Sequence, residues 1–347
     1  MGCIFFNQKK RVGEVAMDKL QMYFSRIDGI ENNCFNILAK LICEVYRLGT
    51  LHNSEIIPIG YEDFNAIIST STGKYLVKVF NNKRTDDNAY QCVERTKQAN
   101  KNGLPVPRVF PNAQGDFLSY IYIGYSRFRL AVFEYVDGIN FHQLGIKPTN
   151  DELRSLVEMA YRLSKIKYAP PFIDDEWSIE NFLREFRLKR PRLTKQQISL
   201  ISPIYDSFAK FNFNALPKTF VHGDITSTNI LRDKTGKLWL IDFSVSNYMA
   251  RIIEILIICD DLALVVGEKE KSKERVRLCF DLWCRKVNAT IFEREAFPLL
   301  FAVANAINIM NTEIERQEGM DSEENIMNMR QGLWGLSLFT SDNLHLL

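Results

Sequence analysis

The spacing of apolar and polar residues divides the chain into a strand-rich first part and a helix-rich remainder. Within 14–49, "EVAMDKLQMYFSRI" and "NCFNILAKLICEVYRL" repeat apolar residues every three or four positions, which predicts two amphipathic helices. From Glu55 the period shortens. "SEIIPIG" and "FNAIIST" read as strands, and after the Gly-containing turn "STGK" the β-branched and aromatic run "KYLVKVF" reads as another. A helix over about Asp86 to Lys101 stops at Gly103, with Pro105 and Pro107 just beyond. "DFLSYIYIGY" and "RLAVFEYV" supply two further strands. At "DGINFHQLGIKPTN" the character changes. "DELRSLVEMAYRLSKI", "SIENFLREFRLK" and "KQQISLISPIYDSFAKF" are helical, a short β insert occupies 219–243, and helices follow from about Met249 to the end.

This order predicts an α+β protein of two lobes: a small antiparallel sheet lobe over 53–136 and a larger, mainly helical lobe over 137–347. Residues 1–52 would be a helical segment packing on the small lobe. A chain of 347 residues is too long for one core and ordinary for two. Its 46% apolar and 25% charged residues are those of a soluble globular protein. A net charge of +2 leaves no polybasic footprint, which argues against nucleic acid or an anionic membrane as partner. The run "IIEILIICDDLALVV" is too short for a span and is broken by two aspartates. Seven Cys form no C-x-x-C pair, and with no signal peptide in view they predict reduced thiols in a cytoplasmic protein. The opening "MGCIFF" has Phe6 where an acylation motif needs Ser or Thr, so it reads as a plain terminus.

The chemistry concentrates in "FVHGDITSTNIL". Asp224 and Asn229 lie five positions apart in a polar loop between two apolar runs. Thirteen residues after Asn229 comes Asp242, in "LWLIDFS", at the end of a strand returned by the turn "DKTGK". That hairpin should bring Asp242 beside Asn229. An amide oxygen and carboxylates so grouped suit a hard octahedral cation such as Mg²⁺, with water and phosphate oxygens completing its shell. Flanking strands would hold the loop rigid, and positioning is most of what phosphoryl transfer requires.

"VHGDITSTNIL" followed by "LWLIDF" resembles the catalytic loop and metal-binding Asp of the protein-kinase-like superfamily, in its aminoglycoside phosphotransferase, choline kinase and homoserine kinase branch. The resemblance spans roughly 50–340 and includes the lobe order. It implies a two-lobed protein-kinase-like fold that binds ATP or GTP with Mg²⁺ and phosphorylates a hydroxyl of a small molecule, an amine-bearing metabolite among the candidates. By resemblance, Asp224 would orient the acceptor hydroxyl and take its proton, while Asn229 and Asp242 would hold Mg²⁺ against the phosphates. His222 reads as a packing and hydrogen-bonding support of the loop.

Lys78, in "YLVKVF", shares its face with Leu76 and Phe80, so it leaves a partly buried surface and needs an anionic partner. The resemblance makes it the phosphate-binding Lys, with Glu94 on the following helix as its carboxylate; Gln91 shares the face of Glu94. "LAVFEYVDG" looks like the superfamily's adenine-binding hinge, with main-chain groups of Glu134, Tyr135 and Val136 meeting the purine edge. An ordinary edge strand ending at Asp137–Gly138 explains that stretch equally well. Arg251 and Glu254, at i and i+3, read as an intrahelical ion pair. Asp260 and Asp261 read either as an attraction for a cationic acceptor or as a solvated helix end. Trp283 and Tyr248 read as packing before they read as a cation-binding wall.

The chain departs from the protein-kinase pattern in three places. "IPIGYEDFNAI" offers Gly60 and Asn65 but no G-x-G-x-x-G; Gly223 stands where protein kinases carry Arg; and "DFS" replaces D-F-G with no A-P-E segment. These losses remove peptide docking and its regulation, favouring a small-molecule acceptor. A nucleotide-binding module without transfer and a protein kinase remain the two rival readings.

Overall fold

Period-two alternation makes the first unit a sheet with two covered faces. In this computed structural model, which describes residues 32–57, 63–320 and 323–338, α1 (Asn32–Val45) leads into β1 (Leu51–Ile57), β2 (Phe64–Thr70) and β3 (Gly73–Val79). The helix expected over 14–27 and the opening "MGCIFF" lie outside the described residues. After α2 (Asp86–Lys101) come β4 (Val109–Phe110), β5 (Ser119–Ile123) and β6 (Ser126–Glu134). The sheet order is β1-β2-β3-β6-β4, with β5 also paired to β6, and every pairing is antiparallel. The short β4 has too few residues to show a period and escaped the sequence reading.

Phe35, Leu38, Ala39 and Ile42 form the apolar stripe of α1 and, with Tyr46 just after it, pack with Ala66, Ile68, Val77, Val79, Leu130 and Val132. The other face carries Phe80, Ala131 and Phe133, with Leu76 beside them, against Ala89, Cys92 and Val93 of α2. Each fully buried aliphatic or Phe side chain contributes roughly 1.5–3 kcal/mol. Alternation therefore sends Lys78 towards the α2 side, as its neighbours predict. This unit comprises Met1–Asn100 and Val106–Asp137, and the second comprises Lys101–Pro105 and Gly138–Leu347.

The second unit is mainly helical: α3 (Phe141–Leu144), α4 (Asn150–Leu163), α5 (Phe182–Lys189), α6 (Lys195–Phe208), α7 (Ile252–Ile257), α8 (Lys269–Val287), α9 (Ile291–Gln317) and α10 (Glu323–Leu338). Capping boxes start α4 at Thr149/Glu152, α6 at Thr194/Gln197 and α9 at Thr290/Glu293, which satisfies N–H groups that a helix start leaves orphaned. Among the described residues α9 is the one helix long and apolar enough to cross a membrane, and 83% of its most apolar window is buried inside the protein.

Two small sheets interrupt these helices. β8 (Lys218–Val221) pairs with β11 (Asn247–Ala250), and β9 (Ile230–Asp233) pairs with both β10 (Leu238–Leu240) and β7 (Gly138–Asn140). The helix expected from Met249 begins instead at Ile252, because Asn247–Ala250 joins β8 as a strand. The loop of interest thus runs from the end of β8 to the start of β9, fixed at both ends by ladder hydrogen bonds.

Candidate active site

The β9–β10 hairpin returns the chain as its turn sequence predicts. Asp233 Oδ1 accepts from the Thr235 hydroxyl at 2.6 Å, the Thr235 N–H at 2.9 Å and the Lys237 N–H at 3.0 Å, and Oδ2 accepts from Trp239 Nε1 at 2.9 Å. These donors hold the Asp233 carboxyl down at about 2. At the open end the Ile241 N–H donates to the Asn229 carbonyl at 3.0 Å, so Asp242 follows directly on the residue bonded to Asn229. Asp242 adopts φ 64°, a left-handed conformation uncommon for a non-glycine residue and better tolerated by Asp than by most.

Asn229 Nδ2 donates to the Asp224 carbonyl at 3.1 Å and to Asp224 Oδ2 at 2.6 Å, so the two predicted residues meet across the loop. His222 Nδ1 accepts the Asp224 N–H at 3.1 Å, which assigns the proton to Nε2 for donation to the Ile241 carbonyl at 3.1 Å. Burial pushes the ring down to about 4, keeping it neutral, and Phe243 packs edge-on at 4.5 Å. His222 is a support of the loop, tying it to the strand that carries Asp242.

Three buried contacts fix the rest of the loop. Gly223 has φ 81°, and a Cβ there would lie 3.6 Å from the Val245 carbonyl oxygen, so a backbone demand explains the glycine. Its N–H donates to Glu254 Oε1 at 2.6 Å. The Ser227 N–H donates to Asp261 Oδ1 at 2.6 Å, and Asn140 Nδ2 donates to the Thr228 carbonyl at 3.1 Å. The expected Arg251–Glu254 pair does not form. Arg251 makes a bidentate bridge to Glu293 at 2.7 and 2.8 Å, and Glu254 faces the loop, with burial pushing its carboxyl up to about 7. A carboxylate inside the apolar run "IIEILII" was the signal for such a partner. Asp261 is likewise a brace rather than a solvated helix end, and Trp283 is fully buried core.

Burial pushes the Asp224 carboxyl well above its usual range, and the charges of Asp242, Asp175 and Asp261 push it the same way. Asp175 arrives on a loop clipped to β11: Asn247 Nδ2 donates to the Ile173 carbonyl at 2.8 Å, and the Ile173 N–H donates back to Asn247 Oδ1 at 2.9 Å. Asn247 pairs directly with Val221, three residues before Asp224. Asp242 was expected beside the loop, but Asp175 and Asp261 were not, because they come from segments 49 positions before and 37 positions after Asp224.

In the first unit, Lys78 has side-chain exposure of 10% and meets Asp63 at 3.6 Å. Asp63 also accepts from the Asn81 N–H and from Arg84 Nε, each at 3.1 Å. The expected Lys78–Glu94 pair is not formed: Glu94 turns along its own helix to Lys97 at 2.8 Å and Gln98 at 2.7 Å. The strand register held the missed signal, since Asn65 faces Lys78 across the ladder and Asp63, two residues earlier, is its diagonal neighbour. The Glu134 N–H is taken by the Arg108 carbonyl at 2.8 Å, and its carboxylate accepts the Arg108 N–H at 3.1 Å. The Glu134 N–H is thus engaged, which leaves to the hinge reading the Glu134 carbonyl and the main chain of Tyr135 and Val136, in the stretch between β6 and β7.

A sequence model described as the phosphotransferase enzyme family matches residues 55–275, a span that includes Lys78, Asp224, Asn229 and Asp242. The chain belongs to that family. A search of the curated proteins found no match. Among solved structures, this phosphotransferase is similar to a microcompartment-associated aminopropanol kinase, with TM-score 0.65 and 13% identity over 90% of this chain and 100% of that one. An amicoumacin kinase in complex with AMP-PNP, Ca²⁺ and Ami gives TM-score 0.64 and 12% identity over 90% and 94%. A choline kinase from Streptococcus pneumoniae gives 0.54 and 10% over 88% and 99%. At such identities the likeness establishes the fold alone: an antiparallel sheet lobe followed by a mainly helical lobe.

Proposed function

We propose that this phosphotransferase moves the γ-phosphoryl group of ATP to a hydroxyl of a small amine-bearing molecule. The observation that carries the reading is the 2.6 Å hydrogen bond from Asn229 to Asp224, with Asp242 brought alongside by the Ile241–Asn229 bond. Asn229 holds one carboxylate oxygen of Asp224, and the other is left to orient the acceptor hydroxyl and take its proton. As the acceptor oxygen bonds to phosphorus, the bond from phosphorus to the ADP oxygen breaks.

The residues fit a divalent cation. Both Asn229 amide bonds go to Asp224, and no described residue donates to Asn229 Oδ1, which therefore remains an oxygen donor, with Asp242 one residue beyond the Ile241 N–H that bonds the Asn229 carbonyl. Asn229 and Asp242 would hold Mg²⁺, which when bound offsets phosphate charge and lowers the cost of keeping Asp224 ionised. Lys78, steadied by Asp63, supplies a cation for the nucleotide phosphates. Main-chain groups of Tyr135 and Val136 would receive the base.

The accumulation of Asp175, Asp242 and Asp261 charge around Asp224 supports an amine on the acceptor. Relatives of the fold named as aminopropanol kinase and choline kinase handle amino alcohols, which supports the same class here. The test is ADP release with Mg²⁺–ATP across matched pairs of amino alcohols and neutral alcohols. Turnover with amines, absent in EDTA, is expected. Turnover confined to neutral alcohols overturns the acceptor class, and nucleotide binding without turnover on any acceptor favours a non-catalytic module.

A further inference from the structure

Helix α7 ends in one π-helical turn, Ile258–Ala263, and the last carbonyls of a helix have no partner within it. Here four consecutive carbonyls are met by three side chains. Gln331 Nε2 donates to the Asp260 carbonyl at 2.6 Å, Lys147 Nζ to the Asp261 carbonyl at 2.5 Å, and Arg275 to the Leu262 and Ala263 carbonyls at 2.9 Å each. Gln331 also accepts from Lys147 Nζ at 3.2 Å, so both ends of its amide are engaged while it is 1% exposed. The turn so held carries Asp261, whose carboxylate accepts the Ser227 N–H at 2.6 Å and lies 3.4 Å from Ser227 Oγ. Ser227 stands midway between Asp224 and Asn229.

We infer that Gln331 and Lys147 are positioning residues for phosphoryl transfer: by fixing the π-turn they hold Asp261 on Ser227, and so keep the Asp224–Asn229 pair in its bonded geometry. Gln331 lies on α10, beyond the family match that ends at residue 275, so the C-terminal helix becomes part of the machinery that sets turnover. The inference rests on the proposed transfer reaction for its kinetic consequence only. The bracing of the loop stands apart from it.

A side chain that only stabilised the fold would change melting temperature without changing turnover per folded molecule. Replacing Gln331→Met keeps the volume and removes both polar ends. Turnover per folded molecule should fall about 10- to 100-fold, as expected for a small misplacement of a catalytic group, with KM for ATP within about twofold. Hydrogen exchange of the amides over 222–229 should speed up, with those of α4 unchanged. Asp261→Ala should show the same signature more strongly, and Asp261→Asn, which keeps an acceptor for the Ser227 N–H, should recover most of it. The double variant Gln331→Met/Asp261→Ala should be little worse than Asp261→Ala alone, because both act through one link. Should Gln331→Met fail to fold, Gln331→Asn shortens the reach by one methylene and carries the same expectation. Unaltered loop exchange, or full turnover in the folded variant, overturns the inference. A wild-type protein with no turnover at all would sink the transfer reaction, while the exchange experiment would still decide the bracing.

Discussion

The two units treat the charges around Lys78 and Asp224 in opposite ways. In the first, the cation of Lys78 meets Asp63, and Arg84 shares the same carboxylate, so the charges largely answer one another within one hairpin and its exit. In the second, Asp224 is surrounded by the like charges of Asp242, Asp175 and Asp261. Self-repulsion of that kind costs free energy unless something positive arrives. Under the proposed function, the carboxylates around Asp224 are the ones that would receive a cation.

The largest effect should come from Asp224→Ala. Removing the proposed proton acceptor should lower turnover by about 10³-fold or more, within the usual range for a general base combined with lost positioning. Nucleotide binding, followed by fluorescence or calorimetry, should be retained, because that substitution relieves negative charge rather than adding it. Turnover within a factor of two of wild type would remove Asp224 from the reaction and leave the carboxylate cluster without a catalytic purpose.

An intermediate effect separates the two candidate partners of Lys78. Lys78→Met should raise KM for ATP about 10-fold, the loss of one charge-assisted contact. Asp63→Asn should raise it by a smaller factor, since the ammonium loses its anchor and keeps its charge. Glu94→Gln should leave it unchanged, because that carboxylate is bonded to Lys97 and Gln98 on its own helix. The opposite ranking, Glu94 above Asp63, would mean that the pair implied by family resemblance forms once nucleotide is bound.

That ranking also measures what could be read from the chain. Local signals were legible: the helix Asp86–Lys101, the turn at Asp233–Lys237, and the register that places Asp242 next to Asn229 all follow from short-range pattern. The loop's braces were not. Glu254 and Asp261 bond to residues 31 and 34 positions away, and only the impropriety of acids in an apolar helix pointed to them. Periodicity cannot see a π-turn either, since one inserted residue shifts the helical face without altering the apolar count. The strands β4 and β7 were too short to carry a period, and β7 matters because it leads into Asn140, a brace of the loop.

The smallest effect tests whether the second unit's excess of carboxylates extends behind the loop. Burial pushes the Asp260 carboxyl up to about 7, against the pull of Asn308 Nδ2 at 2.7 Å and the more distant Lys147; Asp261 pushes it further up. Its Oδ1 is buried with no hydrogen-bond partner among the described residues. In the unfolded chain this carboxyl ionises near 4, so at neutral pH the folded protein binds more protons than the unfolded one. Its contribution to stability is therefore complete at low pH and is lost as pH rises through about 7. Between pH 6 and 8 the loss from this one group is on the order of 1 kcal/mol. Asp260→Asn resembles the neutral acid in shape and does not titrate. Glu254 and Glu315, also pushed up to about 7 by burial, are present in both proteins and cancel in the comparison. Denaturant midpoints measured in EDTA should therefore draw apart as pH rises from 6 to 8, with the variant losing less. Parallel curves would show that Lys147 keeps Asp260 ionised throughout, and the negative charge of this unit would then be larger than burial allows here.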